Sequence, residues 1–290
     1  MELLALLHME EKIIAVDEDS GETRTIVEET GGGPDGIAVH GGYIYYSTMG
    51  TAQPAEGEPD GVYTSPDGGV HRVPFNGTEA TGPVEHLLAV DDAHFTTGKQ
   101  LVFADGALYV ADREGHKVVR INHPDGDLDD VEVDTLVATD PDGGPETTPV
   151  GVCVHDGTLY WTQKGPRKGG KGRIFAVKLD KLDPANPTDW LPAIDNLPEP
   201  IDLAVVGEHL YWTDRGAEPD GNSLNRAPLD NLKAVEIIHR GFKEAIGLVE
   251  DEGAIFVSDL NGEIRVVFPE TGEYETIVSL GTPVTGLAII

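Results

Sequence analysis

The sequence predicts an all-β fold, a six-bladed β-propeller, on three observations. A short aromatic phrase recurs along the whole chain, strand patterns accompany each copy in a fixed order, and the repeat runs on across the two chain ends. The clearest copy is Leu210-Tyr211-Trp212-Thr213-Asp214. Weaker copies are Ile44-Tyr45-Tyr46-Ser47-Thr48, Leu108-Tyr109-Val110-Ala111-Asp112, Leu159-Tyr160-Trp161-Thr162-Gln163 and Ile255-Phe256-Val257-Ser258-Asp259. Each is aromatic and β-branched and ends on a small polar residue, a strand signal. A sixth, Leu4-Ala5-Leu6-Leu7-His8, is placed by its spacing. Successive copies begin 40, 64, 51, 51 and 45 residues apart, and 39 residues lead from Ile255 through the chain ends to Leu4.

The elements follow blade by blade. Blade one reads as an innermost run at 37–39, the phrase from Ile44, a third strand at 62–63 and a fourth at 85–88. Blade two takes 101–103, the phrase from Leu108, 118–121 and 133–137, and blade three takes 152–154, the phrase from Leu159, 174–177 and 190–193. Blade four takes 203–205, the phrase from Leu210, 224–226 and 235–238; blade five takes 248–249, the phrase from Ile255, 264–267 and 276–278. The last blade is a splice. Its innermost strand is 287–290, and its other three come from the N-terminus at 4–8, 13–16 and 25–27. The splice leaves the ring without a free edge. Six units occupy residues 1–290 as a single domain, and the 36 glycines and 20 prolines concentrate between strand patterns, where turns need them.

Composition narrows the partners. With 52 acidic and 20 basic residues the net charge is −32, a field that repels nucleic-acid phosphates and anionic lipid. Acid excess with few lysines also fits a halophilic source, because high salt screens the self-repulsion. The one cysteine, Cys153, lies in an innermost strand as a small hydrophobe. No basic signal-peptide n-region and no apolar run long enough to span a bilayer is present, so the expected location is cytoplasmic. Oligomeric state is not legible.

On one face of such a propeller lie tight turns such as His40-Gly41-Gly42 and Asp105-Gly106-Ala107; the longer loops of the other face are where a ligand is expected. Two loops stand out: 48–61, and 163–173, which holds five of the 20 basic residues. Arg167 and Lys168 there are candidates for an anion clamp, the alternative being a solvated basic loop.

Superposing the blades puts Gly36, Gln100, Gly151, Asp202, Gly247 and Gly286 at one position beside the channel. Gly33, Thr97, Thr148, Glu199, Glu244 and Pro283 stand three residues earlier. Glu199, Asp202 and Glu244 are thus candidate ligands for one divalent cation, calcium or alternatively magnesium. The same crowding of acids suits proton exchange by Glu199 and Glu244, and the alternative is that they bond loop amides. The phrase ends form a second ring of His8, Thr48, Asp112, Gln163, Asp214 and Asp259, in which repeated Asp residues most economically bind backbone donors. His8 and His94 are candidate general bases. Gln100, Asp112, Arg113, His116, Gln163, Arg167, Lys168 and Arg215 are candidate substrate contacts. No zinc, P-loop or serine-hydrolase motif occurs, and no organic cofactor is indicated.

Tyr211-Trp212-Thr213-Asp214 and Tyr160-Trp161-Thr162-Gln163 resemble the YWTD repeat of low-density-lipoprotein-receptor class B propellers. The chain is more closely similar to stand-alone microbial and fungal YWTD-like proteins, through Ser47-Thr48-Met49-Gly50, Ala111-Asp112-Arg113-Glu114-Gly115, Trp161-Thr162-Gln163-Lys164-Gly165-Pro166, Leu197-Pro198-Glu199-Pro200-Ile201-Asp202-Leu203, Tyr211-Trp212-Thr213-Asp214-Arg215-Gly216 and Ser258-Asp259-Leu260. The resemblance covers nearly the whole chain and implies the propeller fold; the receptor likeness implies protein binding. Lactonase propellers offer an analogy in blade number alone. The leading expectation is a hydrolase or lyase acting at the channel mouth on a small, polar, anionic metabolite. The alternative is a non-catalytic ligand- or protein-binding propeller.

Overall fold

A computed structural model describes residues 1–55, 58–89, 95–188 and 190–290, with the backbone alone at 58–61. Six four-stranded antiparallel sheets stand around one axis, each innermost strand packing against those of the neighbouring blades. In order from the axis outward, blade one is Pro34–His40, Tyr43–Thr48, Gly69–Pro74 and Glu85–Leu88. Blade two is Gly98–Ala104, Ala107–Asp112, Lys117–Asn122 and Glu132–Ala138, and blade three is Pro149–His155, Thr158–Gln163, Gly172–Lys178 and Ile194–Leu197. Blade four is Pro200–Val206, His209–Asp214, Ser223–Pro228 and Glu236–Arg240; blade five is Ala245–Asp251, Ala254–Asp259, Glu263–Val267 and Tyr274–Ser279. Blade six is Val284–Ile289 with Glu2–Leu7, Lys12–Asp17 and Thr23–Val27, the expected splice. No helix of the described residues is long and apolar enough to cross a membrane.

Period-2 alternation puts one set of side chains on each side of every blade, and neighbouring blades close six apolar cores between them. One holds Leu4, Leu6, Ile44 and Tyr46 between blades six and one; another holds Trp161, Phe175, Tyr109 and Val118 between blades two and three. The Trp161 and Phe175 rings stack at 4.7 Å.

The phrase explains itself in hydrogen bonds. Its hydroxyl residue clasps one blade to the next: Thr213 Oγ1 accepts from Asp202 N (3.1 Å) and donates to Ile246 O of blade five (2.6 Å). Thr162 joins Gly151 to Ile201 in the same way, Ser47 joins Gly36 to Lys99, and Ser258 joins Gly247 to Thr285. Its terminal aspartate pins the loop that leads into the same blade. Asp214 accepts from Glu199 N (3.0 Å) and Gly216 N (2.8 Å); Asp259 accepts from Lys243, Asn261 and Glu263 N.

Three expectations are corrected. In blade one the third strand is Gly69–Pro74, whereas Val62 ends a separate two-stranded ribbon, Gln53–Ala55 with Glu58–Val62. His71 and Arg72 hide that strand from an apolar pattern. Arg72 is nonetheless buried, donating to Glu85 (2.6 Å) and to Pro124 O of blade two (2.6 Å). In blade three the fourth strand is Ile194–Leu197; Leu191 is exposed and Pro192 has no N–H to give a ladder. In blade six, Leu3 faces Ile289 and Leu7 faces Val284, as Ile44 faces Val39 and Thr48 faces Pro34. The sixth phrase therefore occupies 3–7, and Leu7, not His8, stands in the ring of Thr48 and Asp112.

Candidate functional site

The register shift places His8 one residue beyond the phrase, with Met49, Arg113, Lys164, Arg215 and Leu260. These six form the channel mouth. A common backbone bond sets them: His8, Met49, Arg113, Arg215 and Leu260 each donate N–H to the loop leading into their own blade, at Pro283, Gly33, Thr97, Glu199 and Glu244 O, over 2.9–3.2 Å. Below the mouth, one residue before the superposed glycines, stand Asp35, Lys99, Val150, Ile201, Ile246 and Thr285. Val150, Ile201 and Ile246 pack on one another and on Leu260. On the other side Lys99 Nζ forms a buried ion pair with Asp35 and lies 3.4 Å from Met49 Sδ. Gln100 donates to Asp35 Oδ1 (2.9 Å).

Charge gathers at the mouth on three consecutive blades. Arg113 pairs with Glu114 (2.6 Å), and its guanidinium lies 5.7 Å from the Tyr63 ring centroid. Lys164 and Arg215 reach the same Oε1 of buried Glu199, at 3.6 and 2.8 Å, while Lys168 N holds Oε2 at 2.8 Å. Glu244 meets Arg167 (3.3 Å), Lys168 (3.4 Å) and Arg215 (3.8 Å). Burial alone would raise the Glu244 carboxyl, but Arg215, Arg167 and Lys168 together hold it below its ordinary value. Desolvation first, then repulsion by Arg215, pushes Lys164 down to about 8. Desolvation also lowers Lys99, against the attraction of Asp35.

The candidate bases fare unequally. Nδ1 of His8 donates to Pro34 O (3.1 Å), so Nε2 is the acceptor for the Tyr63 hydroxyl (3.0 Å); burial, opposed by Asp35, keeps the ring's pKa low. Both nitrogens are thus engaged in a neutral imidazole. His94 lies outside the described residues.

The three candidate metal ligands turn to different partners. Glu199 and Glu244 are each faced by cationic side chains. Asp202 turns to Leu203 N (2.9 Å) and Leu248 N (3.0 Å) of blade five, and desolvation raises it to about 7. Among the described residues no group of three or more His, Cys, Asp or Glu side chains is placed to hold a metal ion. Oxygens already facing guanidinium and ammonium groups make a poor cage for calcium or magnesium.

Nor do the superposed glycines leave room in the channel: a Cβ on Gly36 would stand 2.7 Å from Lys99 O and Leu101 N of the next blade. Gln100 and Asp202 at that position bond across to neighbouring blades. Asp112, expected at the ligand, is buried and accepts from Thr96, Thr97 and Gly115 N. His116 is drawn aside to Thr147 (3.2 Å), and Gln163 is buried with neither amide atom bonded. Arg167, Lys168 and Arg215 do come together, on Glu244, while Arg113 pairs with Glu114 at the same mouth. Asp35, Lys99, Lys164 and Tyr63 were missed. Superposition one residue earlier and one residue later would have shown the first three; Tyr63 needed the tertiary contact. Two concavities, about 350 Å³ beside Val39, Phe75 and Ile290 and about 480 Å³ beside His123, Gly126 and Glu132, lie on the opposite face.

No family model matches the chain. A protein of Pyricularia oryzae called low-density lipoprotein receptor-related protein 1 is 36% identical over 300 residues, 96% of this chain and 92% of that protein. A Cochliobolus heterostrophus protein called 3-hydroxyacyl-CoA dehydrogenase-like protein LAM1 is 33% identical over 258 residues, 80% of this chain, which spans 50% of that relative. A chain in the crystal structure of a nidogen/laminin complex superposes with a TM-score of 0.73 at 12% identity, covering 99% of this chain and 97% of its own, a likeness of fold.

Proposed function

Since the chain belongs to the family of the fungal low-density lipoprotein receptor-related protein 1, a family of YWTD-type propellers, we propose that it is a non-catalytic binding propeller. Its channel mouth takes a carboxylate or phosphate of the ligand. The observation that carries this reading is the arc of Arg113, Lys164 and Arg215 on consecutive blades above Lys99, in a chain of net charge −32. These cations repel one another where burial already disfavours charge, and a bound anion relieves both costs. Elsewhere the acidic surface repels an anionic partner, so the mouth also sets its orientation. Binding rather than turnover is supported by His8, whose nitrogens are both engaged, and by Glu199 and Glu244, whose carboxylates are already faced by Lys164, Arg215, Arg167 and Lys168.

The name of the fungal relative, a lipoprotein receptor-related protein, favours an acidic segment of a protein over a small metabolite as the occupant. The nidogen/laminin complex, an assembly of two proteins, is in keeping with that. The acid excess supports a high-salt working environment.

Calorimetric titration with citrate and with a poly-glutamate peptide tests the reading. Saturable binding is expected, weakened roughly tenfold, about 1.4 kcal/mol, by Arg113→Gln, with thermal stability within about 0.5 kcal/mol of wild type. Absent saturation, or equal affinity in the variant, overturns it.

A further inference from the structure

We propose that Lys164 is a site of reversible carbamate formation with carbon dioxide, the new carboxylate lying between Arg113 and Arg215. Lys164 stands at the mouth between the blades that carry those two arginines, and its side chain is 13% exposed. That opening suits a linear triatomic molecule better than a bulky electrophile. Among the described residues its Nζ has loose partners, Gly165 O at 3.4 Å and Glu199 Oε1 at 3.6 Å, and the glutamate oxygen is already taken by Arg215 at 2.8 Å. Arg215, Arg113 and Lys99 oppose an ammonium here, and Glu199 supports one.

Those charges favour the product over the reactant. The lone pair of neutral Nζ attacks the carbon of CO₂ and an N–C bond forms. One C=O electron pair moves onto oxygen, and the amine loses a proton to solvent, giving R–NH–CO₂⁻. No oxidant or further reactant is needed. A positive tip among three cations becomes a negative one. The neutral amine that must attack is also available: a group near pKa 8 is roughly one-fifth neutral at pH 7.4, against less than about a thousandth for an ordinary lysine. Lys171 and Lys181 lack these conditions, being largely exposed and each beside a carboxylate.

Carbamate formation does not require ligand binding, but the two share one place. A carbamate puts an anion where the mouth would receive one, so carbon dioxide would compete with an anionic ligand.

The test is made on the intact chain. Protein equilibrated with ¹³C-labelled bicarbonate and CO₂ is trapped with triethyloxonium ion, which alkylates carbamates to stable ethyl esters, and its peptides are mapped by mass spectrometry. Lys164 is expected to carry label roughly tenfold or more above Lys171 and Lys181, following its larger neutral fraction. No label at Lys164, or label equal to that of the exposed lysines, overturns the proposal whether or not the mouth binds other anions. Arg113→Gln should lower trapping several-fold, since it removes both a cation that depresses the ammonium and a partner of the carbamate. Undiminished trapping in that variant overturns the placement beside Arg113.

Discussion

One ring of six backbone positions in the channel carries two kinds of wall. On blades three, four and five it holds Val150, Ile201 and Ile246, packed together under Leu260. On blades six, one and two it holds Thr285, Asp35 and Lys99, with a buried ion pair between the last two. The strand order and register are alike in both halves, so the fold does not require an ion pair there. Well-packed apolar residues of similar volume usually serve as well as a buried pair or better. The polar half is therefore a place where chemistry departs from architecture, and it meets the cationic arc at blade two, which carries both Lys99 and Arg113.

The largest expected effect concerns what the halves share. Deleting residues 287–290 removes the strand that faces Leu3, Leu4 and Ala5 and opens the ring between blades five and six. Cooperative unfolding near the wild-type temperature should be lost in calorimetry. A truncated chain that melts as before would mean that the splice carries no stability, and the two halves could not then be treated as parts of one closed scaffold.

Next in size is a direct contrast of the halves. Lys99→Met leaves Asp35 buried without its ammonium partner, its Oδ1 still bonded by Gln100, and should cost about 3–5 kcal/mol in denaturant unfolding. The double variant Asp35→Val, Lys99→Met makes the polar half resemble the apolar one, and should recover most of that loss while weakening citrate binding. A double variant no more stable than the single would show that the pair is needed for folding.

Smaller again is a pH effect on the one acid among the superposed glycines of the apolar half. Asp202, raised to about 7 by desolvation, keeps its proton in the folded state after the unfolded chain has lost it near 3.8. The native state then binds more protons, so this group's contribution to stability falls as pH rises from about 4 to 7. Asp214, also raised to about 7 by burial, acts in the same direction. Asp202→Asn should flatten the stability–pH curve across that window by on the order of 2 kcal/mol, measured by urea unfolding at several pH values. An unchanged slope would mean that Asp202 is ionised throughout.

The same contrast explains what was legible in the sequence. Phrases with a Tyr-Trp-Thr-Asp signature announced their register because each position has a distinct role, with Trp212 packing between blades, Thr213 forming a clasp and Asp214 anchoring a loop. Leu3 to Leu7 carries none of those polar roles, and a nearly all-leucine run reads alike at either of two registers, which is why His8 was set one position too early. The cations were legible as residue types against an acidic background. Their partners were not, because the approach of Lys168 to Glu199 and of Arg167 to Glu244 depends on how one long loop folds back across the mouth. Asp35 and Lys99 were hidden by neighbours, since the glycine ring beside them drew the comparison one residue too far.

The smallest effect separates surface from interior. Raising salt from about 0.1 M to 1 M shortens the screening length from about 10 Å to about 3 Å. It should raise the melting temperature by a few degrees, as the self-repulsion of a −32 chain weakens. The same change should loosen an anion held at the mouth, because those cations are partly in water. The Asp35–Lys99 pair is buried and has little solvent around it to screen. The stability difference between wild type and Lys99→Met should therefore be the same at both salt concentrations, even as both proteins gain in absolute terms. A difference that shrinks with salt would place the pair in contact with bulk water. The polar half would then be an extension of the acidic surface rather than a buried departure from the apolar wall opposite.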